Sequence, residues 1–158
     1  MEHRAIEEIE HVEHPIHVNE VRKPVSRALG TTGFAMVYNE LAPGDSFGGA
    51  LHTHYDVEEV FYIVEGTATF EVGKERETVE VGAGELVRFG PGEFQRGYNW
   101  SDDRDVGFIF SAPGAEHDWA EEELFFECRS CGEERVHGIE TIEDSSWQEG
   151  MSSFGCGA

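Results

Sequence analysis

Short apolar runs separated by glycine-rich turns dominate the middle of the chain. Most of these runs end directly before a glycine. The run from Glu59 to Glu65, for example, is followed at once by Gly66. Strand-length runs at regular spacing with turn signals are typical of an antiparallel sandwich or barrel. The predicted strands are Gly33 to Leu41, Glu59 to Glu65, Thr67 to Val72, Glu77 to Val81, Leu86 to Phe89 and Val106 to Ser111. Because no window has a long 3.6-residue apolar period, helix should be minor.

The run from Glu59 to Glu65 is apolar on both of its faces. In a strand, alternate side chains share a face, so Val60, Tyr62 and Val64 lie on one side and Phe61 and Ile63 on the other. A strand of this kind is covered on both sides. The cover is either a second sheet or a partner subunit, and we expect a homodimer.

The ends of the chain differ in composition from its middle. Residues 1–30 are charged and contain Pro15, which favours an irregular lead-in over a helix. This lead-in has His11, His14 and His17 at every third position, and we expect it to be solvated rather than to bind metal. The predicted organisation is therefore a lead-in at 1–30, a β-barrel at 31–115 and a C-terminal extension at 116–158.

Two histidines and a glutamate form the candidate metal site. His52 and His54 are two residues apart, so in an extended chain their imidazoles project from the same face. Glu59 begins the next strand, which we expect to pair antiparallel with the histidine strand and to bring the carboxylate to the barrel interior. Two imidazoles and one carboxylate around an open position suit a divalent first-row ion. The alternative is a pair of surface histidines beside a solvated glutamate.

These residues also carry a resemblance to a known family. His52-Thr53-His54, four residues, Glu59, six residues and Gly66 resemble the first motif of the cupins. The segment from Gly84 to Asn99, with Gly92 in register, resembles their second motif. The resemblance covers roughly residues 31 to 112. It implies an all-β, antiparallel double-stranded β-helix (a jelly-roll or cupin barrel) that holds one divalent ion, which can be Fe, Mn, Ni or Zn.

Three features depart from the cupin pattern. Gly44 and Gly48 do not have the usual spacing before the first histidine, and Pro91 is displaced by one position. More important, Gln95 stands where the family has a third metal-binding histidine. An amide oxygen is a harder and weaker ligand than imidazole. Gln95 therefore either completes the metal sphere or makes an ordinary hydrogen bond in a site that has lost its metal.

All three cysteines lie in the C-terminal extension. Cys128-Arg129-Ser130-Cys131-Gly132 resembles half of a zinc knuckle, and Cys156 and His137 are the remaining candidate ligands. A reducing compartment favours metal binding over disulfides for such a cluster. The interpretations left open are a structural zinc site, buried free thiols and a redox pair.

The charge of the chain excludes one class of partner. With 33 Asp and Glu against 11 Lys and Arg, the net charge is −22, which disfavours binding to nucleic acid. Only Lys23 and Lys74 are lysines, a depletion that suggests a salt-accumulating microbe. No apolar run approaches the length of a membrane span, and residues 1–8 have no signal-peptide pattern. We therefore expect a cytoplasmic protein with no membrane partner.

Two functions remain open at this point, since one fold hosts many chemistries. The first is a metal-dependent enzyme on a small oxygen-rich molecule, with dioxygenase, isomerase or lyase chemistry at the His/His/Glu site. The second is a non-catalytic cupin that binds or senses a small molecule, with the zinc-stabilised tail as an interaction surface. Catalytic residues beyond the metal ligands are not identifiable from the sequence.

Overall fold

A computed structural model describes residues 1–14, 17–116 and 118–139 of the 158-residue chain. Nearly all of its regular structure is β. The strands are β1 (Val21–Pro24), β2 (Ala35–Leu41), β3 (Leu51–His54), β4 (Glu58–Glu65), β5 (Thr67–Val72), β6 (Glu77–Gly82), β7 (Leu86–Phe89), β8 (Gln95–Tyr98), β9 (Asp105–Ala112), β10 (Glu122–Glu127) and β11 (Glu134–Gly138). Helix is limited to α1 (Val25–Leu29) and two single 3₁₀ turns, Ile6–Glu8 and Trp119–Glu121.

The strands form two antiparallel sheets that enclose one core. One sheet has the order β1-β2-β9-β4-β7, and the other has the order β11-β10-β3-β8-β5-β6. Apart from the pairs β1–β2, β5–β6 and β10–β11, which stay within one sheet, consecutive strands alternate between the sheets in the manner of a jelly roll. This arrangement confirms the predicted all-β double-stranded β-helix. The predicted strands Thr67–Val72 and Leu86–Phe89 are found with the same bounds.

Both ends of the chain contribute strands to these sheets. The lead-in supplies β1, which pairs with β2 at the edge of the five-stranded sheet. The C-terminal extension supplies β10, which pairs with β3 on one side and with β11 on the other. The lead-in is therefore less irregular than its composition suggests. The extension continues a sheet of the barrel, and no local sequence pattern indicates this pairing.

One strand pairing predicted from the sequence is wrong. We expected the strand that starts near Glu59 to pair with the histidine strand, but β4 pairs with β7 and β9, whereas β3 pairs with β8 and β10. Glu59 therefore reaches the histidines across the interior, from the opposite sheet. Residues close in sequence lie in different sheets here because the chain crosses the barrel between β3 and β4.

The prediction that both faces of β4 are covered is met within the chain for one face, while Val64 on the other face is 45% exposed. Phe61 and Ile63 are 1% and 0% exposed and face the second sheet. Tyr62, on the other face, lies opposite Phe108 of β9, which in turn packs edge-on against Tyr38 of β2 with ring centroids 5.2 Å apart. The outer face of the five-stranded sheet is thus partly apolar, and the homodimer stays a prediction.

An aromatic cluster fills the core beneath the candidate site. The Phe61 and Phe70 rings lie 4.9 Å apart and both pack against Phe89. Gly97 passes over this cluster so closely that a Cβ at this position would lie 2.5 Å from the Phe70 ring. Glycine here lets β8, and therefore Gln95, approach the core.

Two further motif residues have structural roles. Gly66 has φ +84°, and a Cβ there would lie 2.0 Å from Asp105 Oδ1, so neither the conformation nor the space admits a side chain. Asn99 is fully buried, and its amide nitrogen donates to the carbonyls of Leu41 at 3.0 Å and Asp103 at 2.7 Å. These residues of the cupin motifs therefore hold turns rather than a ligand.

None of the helices within the described residues has the length and apolar character required to cross a membrane.

Candidate metal centre

The two histidines converge at one point because β3 places both on its inner face. Their ring centroids are 5.2 Å apart and the rings are nearly perpendicular, at 81°. His54 is buried, with 8% of the side chain exposed, and His52 is partly buried. Gly48 allows this placement of His52, since a Cβ at Gly48 would lie 2.9 Å from the imidazole Cε1.

Glu59 completes the group from the opposite sheet. Its Oε1 lies 3.7 Å from His54 Nε2. Within residues 1–14, 17–116 and 118–139, His52, His54 and Glu59 form the one set of three His, Cys, Asp or Glu side chains whose ligand atoms all lie within 4.8 Å of one another. The spacing predicted from the sequence is therefore realised, although through a different strand pairing.

Gln95 lies at the centre of this group. It pairs with His52 across β3 and β8, and only 2% of its side chain is exposed. Its amide nitrogen donates to Glu59 Oε2 at 2.8 Å and lies 3.1 Å from His52 Nε2. The amide oxygen is buried and makes no hydrogen bond to the described part of the chain. The structure thus places Gln95 in contact with two candidate ligands.

The hydrogen bonds around His52 define which of its nitrogens faces the site. Nδ1 lies 2.8 Å from the carbonyl oxygen of Ala50, which can only accept, so Nδ1 carries the proton and Nε2 presents its lone pair to the interior. Metal-bound imidazoles are oriented in this way, with the other nitrogen donating to a carbonyl or carboxylate.

The donor set fits a divalent ion. The site offers two imidazoles and one carboxylate, which supply the N and O ligands that such ions take. The Gln95 amide adds a buried oxygen without a hydrogen-bond partner in the described part of the chain, and rotation of the amide could direct this oxygen to an ion. A cavity of about 10 Å³ lies against His54, Glu59 and Gln95. This volume corresponds to about one water molecule, and His52 is not among the residues that line the cavity.

Two residues near the group were not anticipated from the sequence. His14, which we expected to be solvated, is half-buried. Burial, followed by the nearby Arg22 charge, lowers its pKa to about 4, although Glu122 opposes the shift. That expectation is wrong for His14, while His11 and His17 are exposed. Glu122 lies opposite His54 on β10 and is also buried. A buried carboxylate in an acidic chain has no sequence pattern that distinguishes it from the exposed ones.

The cysteine site of the extension is only partly within the described residues. Cys128 is buried at 2% exposure, Cys131 is exposed, and His137 is buried and stacked on Phe126 with centroids 4.2 Å apart. Cys156 lies outside the described residues. The zinc site formed by Cys128, Cys131, His137 and Cys156 therefore stays a prediction.

Comparison with known proteins agrees with the fold. Residues 37–112 match the family model of the cupin domain, and no curated protein matches the chain. Over these residues the chain is therefore similar to the cupin domain.

Several solved structures are similar over most of the chain. One is a sugar phosphate isomerase of a cupin superfamily from Silicibacter pomeroyi. It is 14% identical to this chain with a TM-score of 0.63, and the alignment covers 87% of this chain and 92% of that chain. A conserved protein with a double-stranded β-helix domain from Klebsiella pneumoniae is 20% identical with a TM-score of 0.57, covering 75% and 96%. A Cupin 2 conserved barrel domain protein from Salinispora arenicola is 18% identical with a TM-score of 0.56, covering 71% and 88%. At these identities the likeness shows the fold alone.

Proposed function

We propose that this protein is a divalent-metal-dependent enzyme that isomerises a small, neutral, oxygen-rich molecule such as a sugar or hydroxy ketone. The observation that carries the proposal is the convergence of His52, His54 and Glu59 within 4.8 Å, with the Gln95 amide between them. An isolated pair of surface histidines would have neither this burial nor a carboxylate from the opposite sheet.

The protein's own residues have separate roles in this proposal. His52, His54 and Glu59 hold the ion, and Gln95 either turns its amide oxygen toward the ion or donates to an oxygen atom bound beside it. The ion, which can be Fe, Mn, Ni or Zn, would polarise a substrate oxygen and so make the proton on the adjacent carbon acidic enough to pass to water, which would return a proton to the neighbouring carbon. Phe89 lines the same cavity and excludes water from that side.

The charge around the site favours an uncharged substrate. The cavity is lined by Glu59 and Glu93, and a nearby groove of about 490 Å³ is lined by Asp56 and Glu58. Neither set of lining residues includes Lys or Arg, the side chains that bind phosphate, although Arg88 beside the groove pairs with Glu58. The name of the Silicibacter pomeroyi structure supports isomerase chemistry on this fold, but we propose a substrate without the phosphate.

A non-catalytic protein that binds the ion alone is the second candidate, and the size of the cavity favours it. At about 10 Å³, the enclosed space holds an ion without room for a substrate beside it. A substrate would have to approach from the partly exposed side of His52.

We also retain the proposal of a homodimer through the partly apolar outer face of the five-stranded sheet. Sedimentation of the purified protein would test this proposal.

The test combines metal analysis with hydrogen exchange. The protein is loaded separately with Mn²⁺, Fe²⁺, Ni²⁺ or Zn²⁺, the bound metal is counted, and aldoses and hydroxy ketones are followed in D₂O by proton NMR. We expect one ion per barrel and loss of the proton signal next to the carbonyl. The His52→Ala/His54→Ala variant should lose both properties. The matched control, His11→Ala/His17→Ala, removes two exposed histidines and should keep them.

The outcomes separate the two candidates. A stoichiometric ion without exchange of any tested compound would favour the binding protein. If wild-type protein holds no ion that the His52→Ala/His54→Ala change removes, the metal site itself is wrong.

A further inference from the structure

A carboxylate from the C-terminal extension lies behind one of the candidate metal ligands. Glu122 is the first residue of β10 and lies directly opposite His54 of β3 in the antiparallel pairing. Its side chain is buried, at 8% exposure, and Oε2 is 4.0 Å from His54 Nδ1. Burial of a carboxylate is costly unless the charge is paired or hydrogen-bonded, and His54 is a candidate partner for Glu122.

The two nitrogens of His54 face two different carboxylates. Nε2 is 3.7 Å from Glu59 Oε1, on the side of the candidate metal site, and Nδ1 faces Glu122 on the side of β10. His52 is arranged in the same sense, with its Nδ1 held at 2.8 Å by the Ala50 carbonyl. Each imidazole thus has its Nδ1 side next to an oxygen acceptor and its Nε2 side toward the centre of the group.

We propose that Glu122 is a positioning residue for the metal site. It accepts a hydrogen bond from His54 Nδ1–H when the ion is bound, and thereby holds the ring with Nε2 directed at the ion. The contact of 4.0 Å would shorten to hydrogen-bond range on metal binding. This inference rests on the proposed metal site, and it adds β10, which lies outside the matched residues 37–112, to that site.

A carboxylate in this position acts through orientation and through basicity. Fixing the ring removes rotational freedom that metal binding would otherwise have to restrict, and a negative acceptor on Nδ1–H makes Nε2 a stronger donor to the metal. Changes to such supporting groups in metalloproteins typically reduce metal affinity about 10- to 100-fold. Glu122 also faces the half-buried His14 of the lead-in, so the variants must separate a specific contact from a general effect of charge.

Three variants make this separation. Glu122→Gln keeps the size of the side chain but removes the charge. Glu122→Asp keeps the charge but withdraws it by one methylene, so it also serves as the second variant if the amide destabilises the fold. Glu127→Gln removes a charge from an exposed position on the same strand and is the matched control.

The measurements are Co²⁺ affinity, by competition with a chelator, and the visible absorption bands of the bound Co²⁺. We expect Glu122→Gln and Glu122→Asp each to weaken Co²⁺ binding about 10- to 100-fold and to shift these bands, with Glu127→Gln equal to wild type. A merely structural role would change the stability but leave the bands of the bound ion in place.

Each other result overturns the proposal in a recognisable way. Wild-type affinity and spectrum in Glu122→Gln would show that Glu122 does not support the site, while the metal site itself would stand. Loss in Glu122→Gln with wild-type behaviour in Glu122→Asp would assign the effect to charge alone. Failure of the wild-type protein to bind Co²⁺ would remove the metal site and this inference together.

Discussion

Replacing Gln95 with histidine tests how the amide takes part in the metal site. In the structure its NH₂ group donates to Glu59 Oε2 and contacts His52 Nε2, which are two of the atoms that would hold the ion. If Gln95 is itself a ligand, metal binding breaks both contacts and turns the amide over. A neutral imidazole has only one N–H, so at most one of these competing contacts can form in Gln95→His, and its other nitrogen is a better ligand than an amide oxygen.

The expected gain follows from the contact that is lost. A hydrogen bond contributes about 0.5–1.5 kcal/mol when its partners are neutral and about 1.5–3 kcal/mol when one is charged. Removing one such competitor is worth about 1–3 kcal/mol, and 1.4 kcal/mol is tenfold in affinity. We therefore predict that Gln95→His binds Zn²⁺ or Co²⁺ about 10- to 100-fold more tightly than wild type.

The assay is competition with a chromophoric chelator at pH 7.5. Thr78→His, which adds an imidazole at an exposed position of β6, is the control and should leave the affinity unchanged. Equal affinities for Gln95→His and wild type would refute the reasoning, because they would place the residue outside the metal sphere and its hydrogen bonds outside the binding reaction.

Three further predictions concern stability and the extension. Burial lowers the pKa of His14 to about 4 from an ordinary 6.5, so between these values only the unfolded chain binds the proton, and the free energy of unfolding decreases as the pH falls from 6.5 to 4. Discounted for partial exposure, this loss is about 1–2 kcal/mol. Denaturation of the metal-free His14→Gln variant should lack the loss, and an unchanged pH dependence would contradict burial of a neutral imidazole. The net charge of −22 predicts that the melting temperature rises clearly between low and molar potassium chloride as repulsion is screened, and a melting temperature indifferent to salt would count against a salt-adapted protein. If the extension binds zinc through Cys128, Cys131, His137 and Cys156, zinc should protect the thiols of the reduced protein from a thiol reagent, and equal reactivity of all three cysteines with and without zinc would exclude the site.

The core of the barrel could be predicted from local pattern. Strands such as Thr67–Val72 end at glycines that the turns require. Alternation along β4 correctly places Phe61 and Ile63 on one face, although it does not tell which of the two apolar faces is the interior. His52, His54 and Glu59 were also identifiable, since a two-residue spacing in a strand decides that two side chains share a face.

The route by which Glu59 joins the histidines could not be read from the same spacing. A short connection between two strands is compatible with a hairpin in one sheet or with a crossing to the other, and β3 and β4 take the second course. The predicted pairing was wrong for this reason, although the predicted group of side chains was found.

The sequence by itself determined the residues that depend on local geometry: the strand periods, the turn glycines and the paired imidazoles of β3. Only the tertiary structure decided which distant residues surround them. Glu122 reaches His54 through a pairing between β3 and β10, and His14 is buried by the return of the lead-in toward the site. Both depend on contacts between segments far apart in the chain, whose register is set by packing of the whole barrel and leaves no periodic trace in either segment.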